Sequence, residues 1–398
     1  MIVRDAAAHL TRLSTLYPVV SVTGPRQSGK TTLCRSTFPE LPYVSLEPLD
    51  VREFATADPR GFLASLKHGA VIDEVQRVPD LFSYLQTEVD ERPAAGRFIL
   101  TGSQQLAMTA AVTQSLAGRT GTLELYPPSW SELQAFPSAP RELFEALWAG
   151  AYPRIFDRGI PPHQWLADYV ATYVQRDVRQ LLNVGDLRAF TGFLRLCAGS
   201  TAGETHLSRL GADAGVSHNT AKAWLSVLEA SYILFRLPGW HPTVRKQVVK
   251  SSKLHFVDTG LACYLLGIRE PEQLRTHPLR GAIFESWVAA DVLKQAAHRG
   301  VPHRMFHYRD ATGLEVDLVS ETTRSVILTE VKSGATVASD FTASVDRLSD
   351  LLVRRDETLS VTPRVIYGGD MAQTRGDTAI EPWRAIHSLR WHEDAVIA

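Results

Sequence analysis

Cysteine is nearly absent from this chain. The three residues Cys34, Cys197 and Cys263 among 398 form neither a CxxC pair nor a ligand cluster. That excludes a disulfide framework or a cysteine zinc site and fits a reducing, cytoplasmic setting. Net charge is equally scarce: 42 Lys and Arg stand against 43 Asp and Glu, a formal charge of −1. No global field draws such a chain onto nucleic acid or anionic lipid, so any attraction of that kind is local. Long apolar runs are missing too. The greasiest stretch, Phe256 to Ile268, is broken by Asp258 and two glycines, whereas a membrane span needs roughly 18 or more apolar residues in a row. The opening MIVRDAAAHLTRL sets Arg4 and Asp5 among its first apolar residues, the pattern of an amphipathic helix and not of a cleaved leader. What is present is 44% hydrophobic and 21% charged residues, a balance that buries a core and argues against disorder. At roughly 150 residues per domain, the length points to two or three domains.

Along residues 1–140, short apolar runs at Pro18–Thr23, Pro42–Leu46, Gly69–Ile72, Arg97–Thr101 and Thr122–Tyr126 alternate with helix-compatible stretches. Strands spaced by helices predict an α/β domain with a mostly parallel sheet. Pro127, Pro128, Pro137 and Pro140 then cluster where neither a helix nor a central strand can continue, which sets a boundary. Residues 141–270 read as an α-rich region, with Trp165 to Leu182 apolar at helical spacing. After Pro271 and Pro278, a third region (271–398) reads as helix, three strands, helix, strand.

The most informative segment is the strand Val19–Thr23 running into Gly24-Pro25-Arg26-Gln27-Ser28-Gly29-Lys30-Thr31-Thr32, a GxxxxGKT sequence followed by a helix. This is a P-loop in its required context. Its backbone N–H groups can wrap the phosphates of ATP, Lys30 can reach the β and γ phosphates, and the Thr31 hydroxyl can ligate Mg²⁺. Downstream, Ala70-Val71-Ile72-Asp73-Glu74 is an apolar strand ending in two carboxylates. There Asp73 suits the Mg²⁺ shell and Glu74 the attacking water. The strand Phe98–Thr101 leads to Ser103, placed to meet the γ-phosphate or the water. Arg119, just before the next strand, reads either as a finger to a neighbour's nucleotide or as an exposed structural arginine.

Residues 207–231 read as helix, tight turn, helix, with Ser217 a good N-cap for the second helix. The strand Tyr232–Leu237 and a return near Leu254–Val257 complete a winged helix-turn-helix pattern. In a DNA-binding reading, His218, Asn219 and Lys222 face the duplex and Arg245, Lys246, Lys250 and Lys253 supply phosphate contacts. The alternative is a protein-interaction or lid module whose basic run is merely solvated. In the third region the element order is that of the PD-(D/E)xK nuclease core. Glu285 lies on the first helix, Asp317 on the second strand, and Glu330 and Lys332 on one face of the third. Glu285, Asp317 and Glu330 suit a hard divalent ion with Lys332 beside the nucleophilic water, while the competing outcome is a metal-free salt-bridge cluster.

GPRQSGKTTL, IDEVQRVPDLF, ILTGSQ and SLAGRTGTLELYPPSWSEL resemble the AAA-type ATPase domain of a large bacterial and archaeal family. The later GAYPRI, YVQRDVRQL, SKLHFVDTGLACYLLGI and GLEVDLV are similar to the DUF4143 domain that follows it there. The resemblance covers almost the whole chain and implies a homo-oligomer, with a ring as the favoured assembly. The combined expectation is a Mg²⁺-dependent ATPase whose nucleotide state acts on a DNA-binding, nuclease-like C-terminal region. The alternative is a nucleotide-switched protein-interaction ATPase that does not cut DNA.

Overall fold

The computed structural model describes residues 2–102, 115–174, 186–241, 251–302, 304–322 and 325–391, the side chains of 173 and 174 excepted. The chain gathers into two compact units. The first is 1–128 with 230–232 and 297–300; the second is 129–229, 233–296 and 301–398, so the regions 141–270 and 271–398 lie in the second unit except for those two short segments.

The first unit is built on five strands: β1 (Val19–Thr23), β2 (Tyr43–Ser45), β3 (Ala70–Asp73), β4 (Phe98–Thr101) and β5 (Thr120–Glu124). They pair in the order β2-β3-β4-β1-β5, every pairing parallel. Successive side chains leave opposite faces, and both faces are covered. Val19, Ala70, Ile72, Phe98 and Leu100 enter one apolar cluster with Leu81, Phe82 and Leu85 of the helix Leu81–Glu91. Val20, Val22, Val71, Ile99 and Leu123 enter the other, with Leu10 and Leu13 of the N-terminal helix Ala6–Leu16 and Leu33 of the helix Lys30–Thr37. A sheet covered on both faces is why these strands read as apolar runs with little alternation.

In the second unit, the helix Leu187–Gly199, β6 (Gly203–Glu204), the helices Leu207–Asp213 and His218–Ala230, β7 (Leu234–Leu237) and β8 (Lys253–Phe256) follow one another. The three strands form an antiparallel sheet in the order β6-β8-β7. Ser217 Oγ accepts the Thr220 N–H at 3.1 Å, the cap expected for the helix after the turn. The 20-residue helix Arg280–Arg299 then leads to β9 (Met305–Arg309), β10 (Glu315–Glu321), β11 (Ser325–Lys332), the helix Ala343–Arg355, β12 (Ser360–Tyr367), β13 (Gln373–Arg375) and β14 (Thr378–Pro382). Their sheet order is β13-β14-β12-β11-β10-β9; β9, β10 and β11 are antiparallel neighbours, and β12 runs parallel to β11. Three short strands, β6, β13 and β14, were not expected from the sequence. The helix expected over 165–182 holds from Pro162 to Tyr169 and widens to a π-helical turn at Val170–Val174; residues 175–182 lie outside the described residues. Among the described residues no helix is long and apolar enough to cross a membrane.

Candidate functional site

β1 ends at Thr23, and the chain turns through Gly24–Gly29 into the helix Lys30–Thr37. Gly24, Gln27 and Gly29 take positive φ angles of 147°, 65° and 97°. Only glycine serves at position 24, because a Cβ there would run into the carbonyl of Leu125. Pro25, Arg26 and Ser28 fill the rest of the loop, and Thr32 follows in the first turn of the helix. Lys30 is buried, and its ammonium donates to the carbonyls of Gly24 (3.0 Å) and Pro25 (2.8 Å). Burial pulls its pKa down to about 8, against the opposing pull of Glu74 and Asp73. The Ser28 hydroxyl is fully buried without a hydrogen-bond partner among the described residues.

The sheet order sets β4 between β1 and β3, so the loop after β1 and the carboxyl ends of β3 and β4 meet. Asp73, the last residue of β3, collects three hydroxyls. Oδ2 accepts from Thr31 Oγ1 at 2.9 Å and from the Tyr43 hydroxyl at 2.8 Å, and Oδ1 accepts from Thr101 Oγ1. Burial, then the bond to Asp73, lifts the Tyr43 phenol to about 12. Glu74 adopts a left-handed φ of 56°, and its carboxylate accepts from the Gln76 side-chain amide. The loop is braced from outside by Arg4, whose buried guanidinium donates to the carbonyls of Ser28 and Tyr126, each at 2.8 Å. Behind β1, the Tyr232 hydroxyl donates to Thr23 Oγ1 at 2.8 Å.

These residues fit a Mg²⁺–nucleotide. Among the described residues, a Ser28 hydroxyl without a partner, a buried ammonium held by loop carbonyls and a Thr–Asp hydroxyl–carboxylate pair are the donor set that phosphate and a hard cation require. Thr31, Lys30, Asp73 and Glu74 therefore lie together as the sequence spacing suggested. Ser103 lies outside the described residues; the side chain that β4 brings to Asp73 is Thr101, two positions earlier, a role the sequence reading missed. It also missed Arg4 and Tyr43, although an arginine among the first apolar residues was a usable signal. Arg119 is one-third exposed and donates to both carboxylate oxygens of Asp90, at 2.5 and 2.8 Å, within its own chain.

The second cluster of sequence-singled residues lies in the second unit. Glu285 of the helix Arg280–Arg299 and Asp317 of β10 come together, but on the ammonium of Lys253 from β8. Lys253 Nζ is 2.8 Å from Glu285 Oε1, 2.7 Å from Glu315 Oε1 and 3.5 Å from Asp317 Oδ1. Lys332 Nζ donates to Glu330 Oε1 at 2.6 Å. Burial and the Asp317 charge hold Glu285 well above the usual carboxylate range and push Glu330 up to about 7.

Two expectations are corrected here. Lys253 is not a surface contact for nucleic-acid phosphate: it is 3% exposed, because its strand is covered and three carboxylates receive its ammonium. Glu285, Asp317 and Glu330 are not gathered as an open metal-ligand group either: Glu285 and Asp317 are turned onto the Lys253 ammonium and Glu330 pairs with Lys332, and among the described residues no group of three or more His, Cys, Asp or Glu is placed to hold a metal ion. His218, Asn219 and Lys222 are exposed on the helix His218–Ala230. Arg245, Lys246 and Lys250 lie outside the described residues.

Residues 16–134 match the family described as AAA domain. Residues 140–272 and 280–386 match two domains of unknown function, DUF8612 and DUF4143. The "Uncharacterized protein Rv2008c" of Mycobacterium tuberculosis is 32% identical over 325 residues, spanning 80% of this chain and 71% of its own length. "Uncharacterized protein Mb2031c" of Mycobacterium bovis matches with the same values, 32% over 325 residues, 80% and 71%. Among solved structures, the Walker-type ATPase paby2304 of Pyrococcus abyssi is similar over 66% of this chain and 94% of that one, at 14% identity and a TM-score of 0.47. AMPPCP-bound DnaA from Aquifex aeolicus is similar over 56% and 85% of the two chains, at 16% identity and a TM-score of 0.31. The AAA-domain match and the loop geometry together support ATP binding and hydrolysis by the first unit.

Proposed function

This chain belongs to the family of those two mycobacterial proteins, and from that premise we propose that it is a Mg²⁺-dependent ATPase whose nucleotide state is passed to a DNA-binding C-terminal region. The observation that carries the enzymatic part is the 2.9 Å bond from Thr31 to Asp73, with Thr101 on the other carboxylate oxygen. Bound Mg²⁺ would neutralise charge on the β and γ phosphates. Lys30 leaves the carbonyls of Gly24 and Pro25 to meet phosphate, and the loop N–H groups with the orphaned Ser28 hydroxyl take the remaining oxygens. Thr31 and Asp73 are the residues that would hold the cation. Glu74, turned by its left-handed backbone, orients and polarises the attacking water, and Thr101 fixes Asp73 from β4. Arg119 reaches a neighbouring subunit's nucleotide in a homo-oligomer, which requires it to leave Asp90. Replacing Lys30 by Ala should abolish Mg²⁺-dependent ATP hydrolysis by the purified protein; undiminished hydrolysis would refute the site.

The order helix, β6, helix, helix, β7, β8, with β8 central among its strands, supports a winged helix. The exposed His218, Asn219 and Lys222 support nucleic-acid contact by its second helix, with Arg245, Lys246 and Lys250 as phosphate partners. DNA binding that weakens steeply with salt, and less steeply after Lys222→Ala, is expected; salt-indifferent binding would count against DNA. The order helix, β9, β10, β11, helix, β12 supports a PD-(D/E)xK-like architecture. A second reading, a nucleotide-switched interaction module without cleavage, is favoured by one observation: an ammonium stands where nuclease chemistry would require a cation.

A further inference from the structure

The three carboxylates around Lys253 come from two separate elements: Glu285 from the helix Arg280–Arg299, and Glu315 and Asp317 from alternate positions of β10. An ammonium has three N–H donors, and here each has one carboxylate oxygen within 3.5 Å. The lysine reaches them by a fixed route. β8 pairs with β7 on one side and β6 on the other. Two residues along the same strand, His255 Nδ1 lies 3.0 Å from Ser286 Oγ, the neighbour of Glu285 on the helix, and Ser286 Oγ lies 2.8 Å from Thr201 Oγ1. The end of β7 is stitched to β9 as well: the Trp240 N–H donates to the His307 carbonyl at 2.6 Å and the His307 N–H to Pro238 at 2.9 Å. Lys253 therefore enters the cluster from an anchored strand, its side chain 4% exposed.

Asp317 spends its second oxygen on the Val331 N–H at 2.9 Å. Glu330, only 6% exposed, keeps Oε2 buried and without a hydrogen-bond partner among the described residues, next to the same cluster. Four buried or half-buried carboxylates on adjoining elements favour taking up protons or pairing with cations, and the chain supplies cations in Lys253 and Lys332.

We propose that Lys253 is the resident cation of this carboxylate site. It occupies the place of a divalent metal ion, closes the site to such an ion, and locks the three-stranded sheet onto the C-terminal one. The inference goes beyond the ATPase reading and stands without it.

The test is thermal unfolding of the full chain without nucleotide, with and without Mn²⁺. Wild type and Asp317→Asn should show the same small response to Mn²⁺. Lys253→Met, which keeps the length of the side chain and removes its charge, should melt at lower temperature and be raised by Mn²⁺; adding Asp317→Asn should remove that rise. An Asp317-dependent Mn²⁺ stabilisation of the wild type would overturn the proposal, as would a folded Lys253→Met that ignores Mn²⁺. Should Lys253→Met fail to fold, the comparison of wild type with Asp317→Asn still decides. ATP hydrolysis by folded Lys253→Met reads the other site, so failure of either assignment is told from failure of the other.

Discussion

Raising the pH through about 8 should weaken ATP binding in a way that traces to Lys30 alone. In the nucleotide-free protein burial lowers this ammonium from 10.5 to about 8. That difference corresponds to about 3 kcal/mol of cost for keeping the charge in the folded loop. The sign follows from proton counts. Below about pH 8 both folded and unfolded chains carry the proton and the folded chain bears the full cost. Between about 8 and 10.5 the folded chain has lost the proton while the unfolded chain keeps it, so the nucleotide-free protein gains stability there as pH rises. Phosphate reverses the preference, because two or three anionic oxygens beside Nζ favour the ammonium. Binding a non-hydrolysable ATP analogue at about pH 9 should therefore take up close to one proton per chain, and affinity should fall about tenfold per pH unit above 8. The terminal phosphate is already fully ionised in this range and contributes no proton. Calorimetric titrations in two buffers of different ionisation enthalpy read the uptake directly. A flat affinity between about pH 7 and 9 with no proton uptake would refute the buried-ammonium account of the loop.

Other outcomes test the neighbours of that lysine. Arg4→Ala strips two buried carbonyls of their donor and should cost about 3 kcal/mol of stability, read by denaturant melts, with weaker nucleotide binding; wild-type stability would show that the brace is idle. Thr101→Val removes one of three hydroxyls from Asp73 and should slow hydrolysis on the order of tenfold at nearly unchanged ATP affinity, which single-turnover assays separate from binding. Arg119→Ala should lower hydrolysis while ATP binding persists. If the arginine acts on a neighbour, mixing Arg119→Ala with the inactive Lys30→Ala should restore turnover, and a mixture no better than its parts would confine Arg119 to its pairing with Asp90.

The first unit was legible because its physics is local. A sheet covered on both faces writes continuous apolar runs, and a phosphate loop writes glycines at positions where only glycine fits; β1, β3 and β4 fell within a residue or two of their expected spans. The carboxylate pair at the end of β3 was legible for the same reason. What was not legible depends on partners distant in the chain. Lys253 belongs to a basic stretch that reads as an exposed phosphate contact or else a solvated face, and nothing nearby announces that Glu285 and Asp317, 32 and 64 residues later, will bury it. Thr101 was passed over for Ser103 because sequence alone does not say where β4 ends relative to Asp73. Tyr43 carried no motif at all; its role follows from β2 lying beside β3, a pairing fixed by topology.

The sheet order has a consequence for synthesis on the ribosome. β1 carries the P-loop, yet both of its neighbours arrive late: Val19 pairs with Phe98 on one side and Thr120 on the other. At translation rates of about 5–20 residues per second, the loop waits roughly 5–20 seconds for the second of these strands. Until Phe98 is made, both edges of β1, with Val19, Val20 and Val22, lack their partner strands; until Thr120 is made, one edge still does. The P-loop strand gains its full complement of neighbours only with β5, so codon choice between β1 and β5 should affect yield more than codon choice after it.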